Sequence, residues 1–190
     1  MRRLAVVAFI ILIAGACSSS SKSSSGSSEP YPAPPNPMAL ARKAGLVPET
    51  AEQLRYHVHA HLDYFIDGNQ IIVPGGIGID IKNPGVHSGT VDGQPAYGGI
   101  NPPCDQPCIS PLHTHDVTGV LHTESATEKD NTFGQFLIEW NVKLPSDAVV
   151  YVNGKKFDGD PTTIDLANHT EIAVVEGKPP KSIPSSFDFG

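Results

Sequence analysis

Residues 56–66 read YHVHAHLDYFI. From Tyr56 the pattern has a period of two: Val58, Ala60, Leu62, Tyr64 and Ile66 fall on one side, and His57, His59, His61 and Asp63 on the other. Side chains of a β-strand alternate between its faces, so the spacing predicts a strand with one apolar side and one imidazole-lined side. Asp67-Gly68-Asn69 supplies a turn, and residues 70–73 return as the partner strand. Three histidines in a row are an odd use of an outer surface. The outer two would lie roughly 13 Å apart, so one ion cannot take all three from this strand. Two of them can join a site built by a neighbouring strand; otherwise the face is a solvated histidine-rich surface.

The neighbour to look for is in residues 104–124, CDQPCISPLHTHDVTGVLHTE, which with 56–66 hold six of the chain's eight histidines. LHTHD (112–116) and VLHTES (120–125) flank the turn residues 116–119 and read as a hairpin. A four-residue loop over 116–119 sets His113 opposite His122; a two-residue loop, Thr118-Gly119, sets His115 opposite His122 and His113 opposite Glu124. Both registers leave His113, His115, His122 and Glu124 on one face, whereas a three-residue loop would separate them. His113 and His115 would have Cα atoms about 6–7 Å apart, which lets both rings converge on one ion at about 2.0–2.1 Å. With His122 they make a three-histidine set, and Glu124 is either the fourth ligand or the partner that fixes a ring tautomer. The implied cofactor is a divalent transition metal or copper. The plainer alternative is a set of polar strand residues bonded to one another. Cys104 and Cys108 offer either a short-loop disulfide that pins the chain just before LHTHD, or thiolates for Cu(I) or zinc. His87 and His169 stand alone and read as surface residues.

Working outward, good helix formers at 38–44 end at Gly45 and predict a short helix. IGIDI (77–81) reads as a short strand, and 82–108, rich in Gly and Pro, as a long irregular loop of the kind that usually has a function. NTFGQFLIEW (131–140) predicts a helix with Phe133, Phe136, Leu137 and Trp140 on one side, capped by Asp130 or Asn131. Residues 148–152 and 155–157 flank Asn153-Gly154, the clearest hairpin signal in the chain, and 170–175 is a last strand. The expected fold is α+β and mainly antiparallel β: a small sheet or barrel of hairpins packed against one short helix. The expected layout is one globular domain over 38–178 and a loose tail over 179–190.

Ahead of the domain, Met1-Arg2-Arg3 and the apolar run 4–13 have the form of a signal segment, too short for a span of about 20 residues. Ala14-Gly15-Ala16-Cys17 follows. Residues 1–17 resemble a bacterial lipoprotein signal with its lipobox. Ala14 departs from that pattern, where leucine is usual. The resemblance implies cleavage after residue 16, lipid on Cys17, an extracytoplasmic location and attachment to the membrane through the lipid. Residues 18–37, serine-rich and then proline-rich, would be a tether. The chain carries a formal charge of −7, and loss of Arg2 and Arg3 makes the remainder more acidic. Such a charge disfavours nucleic acid as a partner; a protein partner stays open.

HxHxHL at 57–62 together with LHTHDxTGVxHxE at 112–124 also resembles a group of secreted or membrane-tethered prokaryotic proteins, with weaker echoes at 132–136 and 150–155. That likeness implies one domain across 56–176 and brings no activity with it. A partial likeness to cupins lacks their glycine pattern and second histidine motif. Phosphate-loop, dinucleotide-binding, nucleophile-elbow and zincin signatures are absent. Three functions remain: metal capture, buffering or delivery; a metal enzyme with an open three-histidine site and Glu124 or Asp63 as base; or an interaction module that meets its partner through the histidine face.

Overall fold

The computed structural model describes residues 30–91 and 93–189. The signal segment, Cys17 and the serine-rich part of the tether lie outside the described residues. In chain order the elements are α1 (Pro37–Lys43), β1 (Tyr56–Ile66), β2 (Asn69–Ile71), β3 (His87–Val91), β4 (Gln94–Gly98), β5 (Leu112–His113), β6 (Val120–Ser125), α2 (Phe133–Trp140), β7 (Val149–Val152), β8 (Lys155–Lys156) and β9 (Glu171–Glu176), with a 3-10 turn at Pro161–Thr163.

β1 organises the sheet. The strand order is β5-β6-β1-β9-β7-β8, and β2 pairs with the far end of β1 beyond β6. β6 runs antiparallel to residues 56–61 of β1, while β9 runs parallel to residues 61–66 on its other edge. The fold is therefore α+β and mainly β, an open sheet that is mixed because of this one parallel pair. A central strand with a period of two must cover only one face with apolar packing. Ala60, Leu62 and Tyr64 do so beside Leu121, Ile172, Val174 and Val150, under Phe133, Phe136, Leu137 and Trp140 of α2. The short helix expected at 38–44 joins this layer as α1: Gln135 Nε2 donates to Ala44 O just past it (3.2 Å). The cap of α2 is Thr132, whose hydroxyl accepts from Gln135 N while the Gln135 side chain accepts from Thr132 N. Asn131, one of the two expected caps, is instead buried and donates to Thr123 Oγ1.

Four segments depart from the reading of the sequence. Residues 77–81 form a turn with a single bridge, Ile79 to Ile109, in place of a strand. Gly78 has φ +73°, which bends the chain out of an extended path, and a Cβ there would collide with the Leu112 carbonyl, so the turn requires glycine. Residues 82–108 are not wholly irregular, because β3 and β4 pair as a separate two-stranded hairpin. Tyr31, inside the expected tether, packs against Tyr64 and Trp140 and its carbonyl accepts from Trp140 Nε1 at 2.9 Å, so packing starts ahead of residue 38. At the other end, Ile183 packs on Phe65, Ala173 and Val175, and Phe187 stacks on His61 with ring centroids 3.8 Å apart.

Candidate metal centre

The sheet register assembles the polar face. His59 stands opposite His122 and His57 opposite Glu124 across β1 and β6, and His113 stands opposite His122 across β5 and β6. This is the register of the four-residue loop, with strand pairing reduced to Leu112 and His113 on β5. Residues directly opposite in a sheet share a face. Three adjacent strands therefore present His113, His122, Glu124, His57 and His59 together, and His115, just past the end of β5, turns its ring into the same place.

Ligand atoms of His113, His115, His122 and Glu124 all lie within 4.8 Å of one another. His113 Nε2 is 3.2 Å from His115 Nε2. The nearest carboxylate oxygens of Glu124 are 3.5 Å from His122 Nδ1, 3.7 Å from His115 Nε2 and 3.8 Å from His113 Nε2. A tetrahedral ion with bonds of about 2.0–2.1 Å has ligand-to-ligand edges of roughly 3.3–3.4 Å, and these spacings bracket that figure.

His113 Nδ1–H donates to Ser110 O at 2.9 Å, and His115 Nδ1–H donates to Tyr97 O at 2.5 Å. Carbonyl oxygens only accept, so both rings carry a proton on Nδ1 and their Nε2 lone pairs face each other. Two lone pairs at 3.2 Å repel unless a cation lies between them. That cation is either an added proton or a metal. Among the described residues His122 Nδ1 and Glu124 Oε2 are buried without a hydrogen-bond partner, and both belong to this group. Unpaired buried polar atoms are rare in proteins and call for an explanation; a bound ion supplies one.

Titration preferences agree with the geometry. Burial, with the nearby His115, pushes His113 down to about 3, so its ring is neutral at ordinary pH. Burial also opposes charge on His115, but the Glu124 carboxylate 3.7 Å away and the bond to the Tyr97 carbonyl outweigh it and raise the ring above its ordinary value. Burial alone would raise Glu124; the neighbouring His115 and His122 rings and the field of His113 overcome it and hold the carboxylate well below its usual range. His122 is lowered by burial. A neutral buried imidazole beside an ionised carboxylate is the protonation state a metal needs.

The first histidine run divides. His57 Nε2 lies 3.2 Å from Glu124 Oε1 and 2.8 Å from His59 Nε2, and His57, His59 and His122 form a second group of ligand atoms within 4.8 Å. His61, expected in or near the same shell, falls instead into a third group with Asp63 and Glu171. Its Nε2 donates to Thr118 O at 2.9 Å and its Nδ1 shares a proton with Glu171 Oε2 at 2.8 Å, so both nitrogens are engaged. Burial disfavours charge on the ring, yet the Glu171 bond and charge raise its pKa overall. His61 lies buried under the Phe187 ring with both nitrogens held in hydrogen bonds, which sets it apart from the inner group. Glu171 could not be seen as its partner in the sequence, because the parallel β1–β9 pairing joins residues 110 positions apart.

Cys104 and Cys108 are joined as a disulfide with Cα atoms 6.4 Å apart, so neither offers a thiolate. The loop they close is tied to the segment ahead of β1: Cys104 N donates to Thr50 O and Cys108 N to Glu49 O. That anchorage sets the path of Ser110, whose carbonyl fixes the His113 ring. His87 and His169 are exposed. A cleft of about 520 Å³ between β1 and the β3–β4 hairpin is lined by His57, Tyr97, His115 and Glu124, with His87 at its side. Comparison with protein-family profiles, with curated proteins and with solved structures returned no match, so the chemistry of the site has to be read from its own geometry.

Proposed function

We propose that the chain is a lipid-anchored extracytoplasmic protein that captures, buffers or delivers one transition-metal ion, zinc or copper, at His113, His115, His122 and Glu124. The observation that carries this reading is the pair of Nε2 lone pairs 3.2 Å apart, each ring locked by a backbone carbonyl and backed by the Glu124 carboxylate. Backbone acceptors on the far nitrogen are the usual way a protein orients a ligating histidine. Nitrogen and oxygen donors at tetrahedral spacing suit zinc or copper better than hard ions, which prefer all-oxygen shells. Anchoring rests on the leader and Cys17 of the sequence. The test is metal analysis of the purified chain and a binding titration, with His113→Ala and His115→Ala alone and combined. Absence of bound ion in the parent, or equal affinity in the double variant, would overturn the reading.

A metal-enzyme reading is favoured by one observation, the open cleft that reaches His57, His115 and Glu124. Glu124 is placed to act as its base. Asp63 is not, because it accepts from Gln70 and lies in the His61 group. A cobalt-loaded sample whose visible spectrum shifts on adding a small anion such as azide would show an exchangeable position facing the cleft. An unchanged spectrum would remove the enzyme reading and leave the binding one.

A further inference from the structure

The ligand atoms on this face outnumber what one four-coordinate ion can take, and they fall into two groups of unequal exposure. The inner group is His113, His115, His122 and Glu124; the outer is His57, His59 and His122. The two share His122, and Glu124 bridges them in space: Oε1 is 3.2 Å from His57 Nε2 and 3.7 Å from His115 Nε2, while Oε2 is 3.8 Å from His113 Nε2. We propose that the face holds two metal ions, the second bound by the solvent-facing His57 and His59, with the Glu124 carboxylate lying between the ions and His122 available to both. The proposal rests on the inner site being a metal site and adds a second position beside it.

Hydrogen bonding leaves the outer group sharing one proton among three atoms. His57 Nε2 meets both His59 Nε2, at 2.8 Å, and Glu124 Oε1, at 3.2 Å. A single ring nitrogen carries either one proton or one lone pair. If it donates, its one proton is split between Glu124 Oε1 and His59 Nε2. If it accepts from His59, it faces a carboxylate lone pair. A divalent cation at the junction satisfies all three atoms at once. The outer position also differs from the inner in access: the His57 side chain is 36% exposed, whereas His113 is 0% and Glu124 4% exposed. Of the two ions, the outer is the one in exchange with solvent. Two metals bridged by a carboxylate each retain a nearly complete set of protein donors, and the negative charge between them offsets their mutual repulsion.

The experiment is a count of ions per chain. The whole protein is stripped with a chelator, reloaded with Zn²⁺ at pH 7, desalted and analysed by elemental mass spectrometry, with calorimetric titration of the same samples. Two equivalents are expected in the parent, with a weak chelator removing one first. The His57→Ala/His59→Ala double variant is expected to lose one equivalent and keep the tight one. Both residues lie on the outer face of β1, and circular dichroism checks that the variant folds. One equivalent in the parent, unchanged in that variant but lost with His113→Ala, would overturn the second site and leave the inner one standing. No equivalents in the parent would overturn both. A Co²⁺-loaded parent offers an independent readout: magnetic coupling between paired ions supports the bridge, and isolated-ion magnetism at full loading overturns it.

Discussion

Glu124 on β6 stands directly opposite His57 on β1, and its Oε1 lies 3.2 Å from His57 Nε2. This cross-strand pair joins two histidine runs that are more than fifty residues apart in the sequence. The carboxylate is also the only formal negative charge in the inner group of ligands. Glu124→Gln keeps the shape and removes the charge. Metal affinity should fall by roughly 10- to 100-fold, the range seen when groups supporting a metal site are altered. Competition against a chromophoric chelator measures it; an unchanged affinity would mean that Glu124 stands outside the coordination sphere.

Proton release on metal binding should follow from the same geometry. His115 has a raised pKa, so in the metal-free protein its ring is the one that favours a proton between the two Nε2 atoms. A raised histidine pKa gives stabilisation that is present below the unfolded value and lost as pH rises through the folded one. Metal competes with that proton, so affinity should rise with pH until His115 is deprotonated and level off above. Calorimetry in buffers of different ionisation enthalpy should show about one proton released per inner ion at low pH. In Glu124→Gln the rise should move to lower pH, because the carboxylate that favours the His115 cation is gone.

Gly98 tests whether ring placement matters apart from ligand identity. Its φ is +145°, and a Cβ there would lie 2.6 Å from His115 Nδ1, on the side where that ring donates to Tyr97 O. Gly98→Ala should destabilise the fold by about 1 kcal/mol or more and weaken metal binding without removing any ligand. Gly89→Ala, on the same hairpin with open space around the added methyl group, should leave both unchanged. Thermal melts with and without zinc distinguish the two variants.

A fourth expectation concerns stability alone. Glu139 of α2 is fully buried, and neither of its oxygens has a hydrogen-bond partner among the described residues. Burial pushes its carboxyl up to about 8, so it is protonated in the fold at neutral pH. The unfolded chain ionises near the ordinary value and the fold does not, so stability should fall as pH rises from about 4.5 toward 8 and flatten beyond. Glu139→Gln should remove that slope and stabilise the protein by on the order of 3 kcal/mol at pH 7. Denaturant melts from pH 5 to 8 check the sign; a variant less stable than the parent at pH 8 would contradict it.

Much of the inner site was legible in the sequence because strand parity is a local property. His57, His59, His113, His122 and Glu124 could be assigned to polar faces by counting in twos, and the 116–119 loop left only a choice of registers. What parity cannot give is the partner across the sheet. By spacing His61 is equivalent to His59, and only the β9 pairing, which brings Glu171 beside it, ties up its Nδ1. The Ser110 and Tyr97 carbonyls that fix the tautomers are backbone groups, and no side-chain pattern marks them. The β3–β4 hairpin escaped notice because β3 is exposed along its whole length and β4 is nowhere fully buried, so no apolar alternation betrays them; the Asp92-Gly93 dipeptide was the signal available.

The central position of β1 also decides where this chain can change length. Core side chains and imidazoles alternate along a strand paired with β6, β2 and β9. Inserting or deleting one residue between His57 and Asp63 would turn the histidines toward α2 and the leucine toward solvent, losing the core and the ligands in one step. The tip of the β3–β4 hairpin has no such coupling, since its tie to the site, Tyr97 to His115, lies at the opposite end. Lengthening its turn would alter the wall of the cleft and leave the ligand set in place. Variation in access to the histidine face can therefore accumulate on that hairpin, while β1 admits substitution but not insertion.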